Sequence, residues 1–103
     1  MMNTDPLDVI KKNDPELFDS ISATRNLAFR DGALDVKSKL LIALAIDAAH
    51  GAVNGVKSLA MQALNSGATK EEIMETLHVT CFVSGAGSIY TAAAGLQGIL
   101  SQS

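Results

Sequence analysis

Apolar residues recur along this chain at intervals of three and four, the spacing that places them on one face of a helix. Capping residues mark where each helix starts. Asp14-Pro15-Glu16 sets a carboxylate ahead of a proline at the first helical position. It opens a helix to about Phe29, with Phe18, Ile21, Arg25 and Phe29 on one stripe. Asp5-Pro6-Leu7-Asp8 gives the same signal for a shorter helix before it, closing on Lys11-Lys12, whose charges suit a helix C-terminus. Arg30-Asp31-Gly32 ends the second helix. A third opens at Val36 behind a capping Asp35 and ends at His50, with Gly51 as its stop. Its run from Leu40 to Ile46 is apolar on every side, which predicts a central, buried helix.

A fourth helix, Val53 to Asn65, carries Leu59, Leu64 and Met61 and stops at Gly67, a left-handed C-terminal cap. Thr69-Lys70-Glu71-Glu72 is a capping box and opens a fifth helix bearing Ile73, Leu77 and Cys81. Gly85-Ala86-Gly87 breaks it, and Ser88 is predicted to cap a sixth that runs through Tyr90, Leu96 and Leu100. No strand-like alternation and no internal repeat is present, so the class is all-α. The expectation is a single-domain bundle of about six helices over residues 1–103.

Charge changes this picture. Charged residues make up 18% of the chain, below the roughly 25% usual in soluble domains, and from Thr76 to Ser103 there is no Asp, Glu, Lys or Arg. Such a surface predicts contact with further copies, a homo-oligomer built through the uncharged C-terminal third. A net charge of -3 leaves no electrostatic footprint for nucleic acid or anionic membrane. The uncharged stretch from Val79 to Leu100 is long enough to span a bilayer. It is interrupted by Ser84, Gly85, Gly87, Ser88, Thr91, Gly95 and Gln97 and has no flanking cation, so no membrane span is predicted. The N-terminus has neither a basic nor an apolar leader segment, which makes a cytoplasmic location the expectation.

Two carboxylate-x-x-His pairs, Asp47 with His50 and Glu75 with His78, each place both side chains on one helix face. Brought together they would form an acid–base site, imidazole being the usual proton carrier near neutral pH. Helical di-metal sites need a further carboxylate from each of two other helices, and none stands out, so neither metal nor cofactor is predicted. Structural readings compete with the functional ones: His50 meets a helix end and Glu75 faces water. Cys81 is the single cysteine and lies in an apolar segment without a basic neighbour in sequence, which predicts a buried structural thiol. Met61 and Met74 read as core filler. Gly55, beside Asn54, suggests a close backbone approach to a ligand.

From Gly32 to about Ala94 the chain resembles the carboxymuconolactone decarboxylase and alkylhydroperoxidase D-like family. The resemblance is carried in order by Gly32-Ala33-Leu34-Asp35, Lys39-Leu40-Leu41-Ile42-Ala43-Leu44-Ala45, His50-Gly51, the segment from Ala63 to Glu75, and Gly85. It implies an all-helical fold assembling into dimers, trimers or hexamers. Peroxidatic members use a Cys-x-x-Cys pair, a preceding glutamate and a following histidine. Here those positions hold Ala52 and Gly55, Leu40, and Leu59, so a dithiol peroxidase is excluded. In the decarboxylase branch a histidine stands in the fifth helix, at the place Val79 takes here, one residue after His78. The resemblance therefore implies a non-redox member acting on a small organic acid or lactone in a pocket between subunits. His50, His78, Asp47 and Glu75 are its acid–base candidates, and Lys57 and Arg25 are the cations available to a substrate carboxylate. A catalytically silent assembly or partner-binding module is the second expectation, and a residual thiol-dependent hydroperoxidase through Cys81 the third.

Overall fold

The computed structural model of the chain describes residues 5–100. The leader expectation was read from residues 1–6, of which 1–4 lie outside the described residues, as do residues 101–103 at the end of the uncharged stretch. The chain divides into two compact units, Met1–Arg30 and Asp31–Ser103. All six expected helices form, and no strand occurs among the described residues.

The first unit is a pair of helices, α1 (Asp8–Asn13) and α2 (Pro15–Ala28). Asp14 caps α2 as its sequence predicts, its carboxylate accepting the Leu17 N–H at 3.1 Å. Asp5 does not cap α1. Its carboxylate accepts the Leu7 N–H at 2.8 Å and turns the chain one step earlier, while Leu7 holds the cap position without a side-chain bond. The Lys11 ammonium lies 5.5 Å from the Phe18 ring centroid, a cation–π contact between the two helices. No residue of either helix is fully buried.

The second unit holds α3 (Val36–Ala49), α4 (Val53–Asn65), α5 (Lys70–Ser84) and α6 (Gly87–Leu96). Asp35 caps α3 through the Ser38 N–H at 2.8 Å. The capping box of α5 is complete: Thr69 Oγ1 accepts the Glu72 N–H at 3.0 Å, and Glu72 Oε1 accepts the Thr69 N–H at 2.9 Å. The other oxygen of Glu72 accepts from Lys37 Nζ at 2.9 Å, which ties the start of α5 to the start of α3. The two helices therefore run parallel, while α4 returns against α3 and α6 returns against α5. Gly67, at φ +98°, turns the chain out of α4 with the left-handed backbone expected of it.

The core joins Leu44 and Ala48 of α3, Val56 and Ala60 of α4, Ile73 and Leu77 of α5, and Ala92 and Leu96 of α6. Leu44, Ile73 and Val56 are its largest fully enclosed side chains. Each Leu or Ile there contributes about 2–5 kcal/mol against truncation to Ala. Alanine and glycine at the crossings let the helices approach closely. A Cβ on Gly95 of α6 would lie 2.8 Å from the Val53 carbonyl oxygen and 2.8 Å from Val56 Cβ.

Several expectations need correction. α3 meets α4, α5 and α6 and so is central, yet it is not buried all round, because Ile42 and Ile46 stay half exposed on its outer side. On α4 the core face is Val56, Ala60 and Ala63, with Leu59 and Leu64 half-buried beside it and Met61 exposed. Met74 is exposed as well, so neither methionine fills the core. Ser88 does not cap α6; it is buried in the first turn and donates its hydroxyl to the Gly85 carbonyl at 2.6 Å. The α6 helix ends at Leu96, leaving Leu100 in the turns that follow. Among the described residues no helix is long and apolar enough to cross a membrane, because the stretch from Val79 to Leu100 is split at Gly85.

Two outcomes follow from this packing. Gly95→Ala forces a methyl group against α4 backbone and is expected to cost about 1–3 kcal/mol of unfolding free energy, read from urea denaturation. The second concerns acid. The Lys37 ammonium and the Thr69 N–H hold the Glu72 carboxyl below its usual range, and the Ser38 N–H does the same for Asp35. A lowered folded value means stability that is complete above the ordinary carboxylate range of about 4 and lost as pH falls through it to the depressed values. Lys37 is shifted up by Glu72, so its share is present below the ordinary lysine range and lost in strong alkali. Glu72→Gln keeps a capping side chain but removes the charge. It is expected to give a shallower fall in urea midpoint on acidification than the unsubstituted chain shows.

Candidate functional site

Asp47 lies in the last turn of α3, half-buried, with its carboxylate laid against the first turn of α4 at Gly55. A Cβ on Gly55 would stand 2.8 Å from Asp47 Cγ and closer still to Oδ2. The reason is local. Ala52, at the cap position of α4, has no side-chain acceptor, and its own N–H donates to the Asp47 carbonyl at 2.9 Å. The carboxylate of Asp47 supplies negative charge at the positive end of α4 that Ala52 cannot. Gly55 is thus the close backbone approach its sequence suggests, made to Asp47 rather than to a ligand.

His50 is the C-cap of α3, its N–H donating to the Ile46 carbonyl at 3.0 Å and its side chain exposed. Gly51, at φ +77°, ends the helix directly behind it. Glu75, His78 and Cys81 are spaced by three along α5 and lie on its outer side, all exposed, opposite the buried Ile73, Leu77 and Thr80. The expectation of a buried thiol is overturned: Cys81 is exposed. The core takes Leu77 and Thr80 instead, and residue 81 is rotated away from Thr80 by ~100°.

The parallel register of α3 and α5 settles which of these groups meet. Lys37 stands beside Glu72, and Leu41, Ala45 and Ile46 line one groove with Thr76 and Val79. His50 therefore lies about two turns, ~10 Å, further along the bundle than His78. Within one copy the pair Asp47 and His50 serves the α3–α4 turn, while Glu75 and His78 face away on α5. No side-chain hydrogen bond or ion pair links any of the five candidates to another among the described residues. No cluster of three or more His, Cys, Asp or Glu that could hold a metal ion occurs among the described residues.

Grooves open on the second unit between and beside its helices. One of 380 Å³ runs between α5 and α6, walled by Met74, Leu77, Ile89, Leu96 and Leu100 with Gln97 among them. One of 370 Å³ lies on the outer side of α4, where Lys57 stands among Asn54, Ser58, Gln62 and Asn65. The third, of 320 Å³, lies between α3 and α5 and is almost wholly apolar. None of the three is lined by Asp47, His50, Glu75, His78 or Cys81. Lys57, one of the two cations expected to meet a substrate carboxylate, lines the α4 groove, whereas Arg25 belongs to α2.

Within the uncharged stretch from Thr76, sequence reading did not single out Val79, Phe82 and Val83 of α5, which are 66%, 91% and 73% exposed. The signal was present. Apolar residues on α5 occur on both its inner and outer sides, more than one core-facing stripe can use.

Residues 15–97 match the model of the carboxymuconolactone decarboxylase family. The chain is 32% identical over 79 residues to an uncharacterized protein of Methanocaldococcus jannaschii, covering 77% of this chain and 74% of that one. Its fold is similar, at a TM-score of 0.83 and 34% identity, to the apo crystal structure of a carboxymuconolactone decarboxylase family protein from Legionella pneumophila, covering 88% of this chain and 81% of that one.

The Asp47–Gly55 contact gives a test of whether the carboxylate is structural. Gly55→Ala is expected to destabilise by about 1–3 kcal/mol through overpacking. In the double variant with Asp47→Ala most of that cost should disappear, a non-additivity read from a urea double-mutant cycle. Strict additivity would mean that the two residues do not press on one another.

Proposed function

This chain belongs to the carboxymuconolactone decarboxylase family, and from that premise we propose that it is a non-redox, self-assembling member whose acid–base groups act in a pocket between copies. The substrate class is a small organic acid or lactone. One observation carries the reading: Glu75 and His78 lie exposed on α5, with no side-chain bond among the described residues, beside the apolar surface of Val79, Phe82 and Val83 that a second copy would cover. Groups in that position gain neighbours and lose water only on assembly.

The chemistry asks little of the protein. When a lactone acid loses carbon dioxide, the electrons of the breaking C–C bond pass into the conjugated ring, and an acid must return a proton to carbon. An imidazole, titrating near neutral pH, suits that step, with a carboxylate to orient it. His50 and His78 are the two imidazoles, and Asp47 and Glu75 their carboxylate neighbours along the chain. Asp47 is already committed to the start of α4, so Glu75 is the freer of the two. Lys57, among the amides of the α4 groove, offers a cation to the substrate carboxylate.

The separation of the two histidines within one copy favours a second reading, a catalytically silent assembly or partner-binding module. The exposure of Cys81 favours a third, a thiol hydroperoxidase. With no second cysteine in the chain, that activity would need Cys81 of another copy as its resolving partner.

The discriminating experiment is turnover across a panel of small lactones and dicarboxylic acids, paired with thermal shift. A ligand of the native state at a hundredfold its dissociation constant stabilises by about 2.7 kcal/mol. His50→Ala or His78→Ala is expected to abolish turnover with the molar mass unchanged. Full activity in both variants discards the acid–base reading. No shift and no turnover on any compound supports the silent module, and peroxide consumption lost in Cys81→Ser supports the third.

A further inference from the structure

The second unit carries a projection and a hollow side by side. The projection is Phe82, the most exposed large apolar residue among those described, at 91%. The hollow is the 320 Å³ groove between α3 and α5, walled by Leu41, Ile42, Ala45, Ile46, Thr76 and Val79. They are neighbours because Val79, Phe82 and Val83 follow one another at three and four residues on α5, so Phe82 stands about one turn beyond the groove that Val79 helps to line.

We infer that this face is a two-fold interface in which Phe82 of each copy fills the α3–α5 groove of the other. The inference rests on the assembly reading above and names its surface. A projection adjacent to a matching hollow is self-complementary under a two-fold axis, since rotating one copy by half a turn brings each Phe82 over the other's groove. The groove has ample room for one phenyl ring. Two α5 helices running antiparallel about an axis near Thr80 place Glu75 opposite the partner's Ser84–Gly85 region rather than opposite a carboxylate. No Asp, Glu, Lys or Arg occurs beyond Glu75 to oppose identical faces.

Area argues the same way. Phe82, Val79, Val83, Ile42 and Ile46 together expose on the order of 500 Å² of apolar surface, most of what each side of a stable interface of about 800 Å² requires. A patch of that size is near the upper end of what a monomer leaves to water, and patches that large are often functional. His78 lies one turn before Phe82 on the same outer side, so the interface closes over it and Glu75 is left at its rim.

The test is molar mass by light scattering after gel filtration, on the full chain over a range of concentrations. Phe82→Asp and, separately, Val79→Glu are expected to lower the mass at least twofold with helical circular dichroism unchanged, both residues being exposed. Phe82→Leu should retain the assembled mass. Met61→Glu, an equally apolar exposed position on α4, should leave it unaltered. Wild-type mass in both Phe82→Asp and Val79→Glu overturns this interface and leaves the assembly reading standing. A wild-type chain that stays monomeric at every concentration overturns both. Disassembly by Met61→Glu alone moves the interface to α4 and overturns it here.

Discussion

The close seating of α4 between α3 and α6 is the constraint on which the rest of the second unit depends. On one side Gly95 lets α6 lie against the Val53 carbonyl and the Val56 side chain; on the other, Gly55 lets the Asp47 carboxylate rest on the backbone of α4. Ala48, Ala60 and Ala92 continue the same small-residue contacts into the core. Helices that approach so closely bury Leu44, Val56 and Ile73 completely without needing large aromatic residues, which this chain scarcely has. The cost is sensitivity, because one added methyl group at either glycine has no empty space to enter.

With α4 fixed, packing of Ile73 and Leu77 orients α5, and a single carboxylate marks its register on α3. Glu72 uses one oxygen to complete the capping box and the other to hold Lys37. A local start signal is thereby coupled to a tertiary contact that joins the beginnings of α3 and α5. Ile73, Leu77 and Thr80 then face the core, and Glu75, His78, Cys81 and Phe82 must face outward. Three of the five candidate side chains, Glu75, His78 and Cys81, thus share the outer side of α5 with Phe82.

This arrangement bears on what the protein can do. Asp47 braces α4, His50 caps α3, and Glu75, His78 and Cys81 have no side-chain partner among the described residues. The proposed site is therefore one that a second copy would complete, since the exposed groups of α5 lie beside the apolar residues Val79, Phe82 and Val83.

Much of this was legible in the sequence. The caps at Asp14, Asp35 and Thr69, the stop at Gly67 and the six-helix count are local matters of hydrogen bonding and backbone freedom, decided within a few residues of chain. The motif order from Gly32 to Gly85 was enough to identify the family. Other features depended on partners distant in sequence. Leu40 to Ile46 is apolar on every side of α3, so no local rule says that Leu44 goes inward and Ile46 outward; that choice was made by where α4, α5 and α6 pack. Met61, Met74 and Cys81 look like core residues in isolation and are exposed because the packed helices turn Ala60, Ile73, Leu77 and Thr80 to the core instead. Asp47 pairs with His50 by spacing alone, and that its carboxylate also rests on Gly55 depends on how α4 packs. Local propensity determined where helices begin and end, whereas the rotation of each helix about its axis, and with it every candidate side chain's surroundings, was decided only when the helices met.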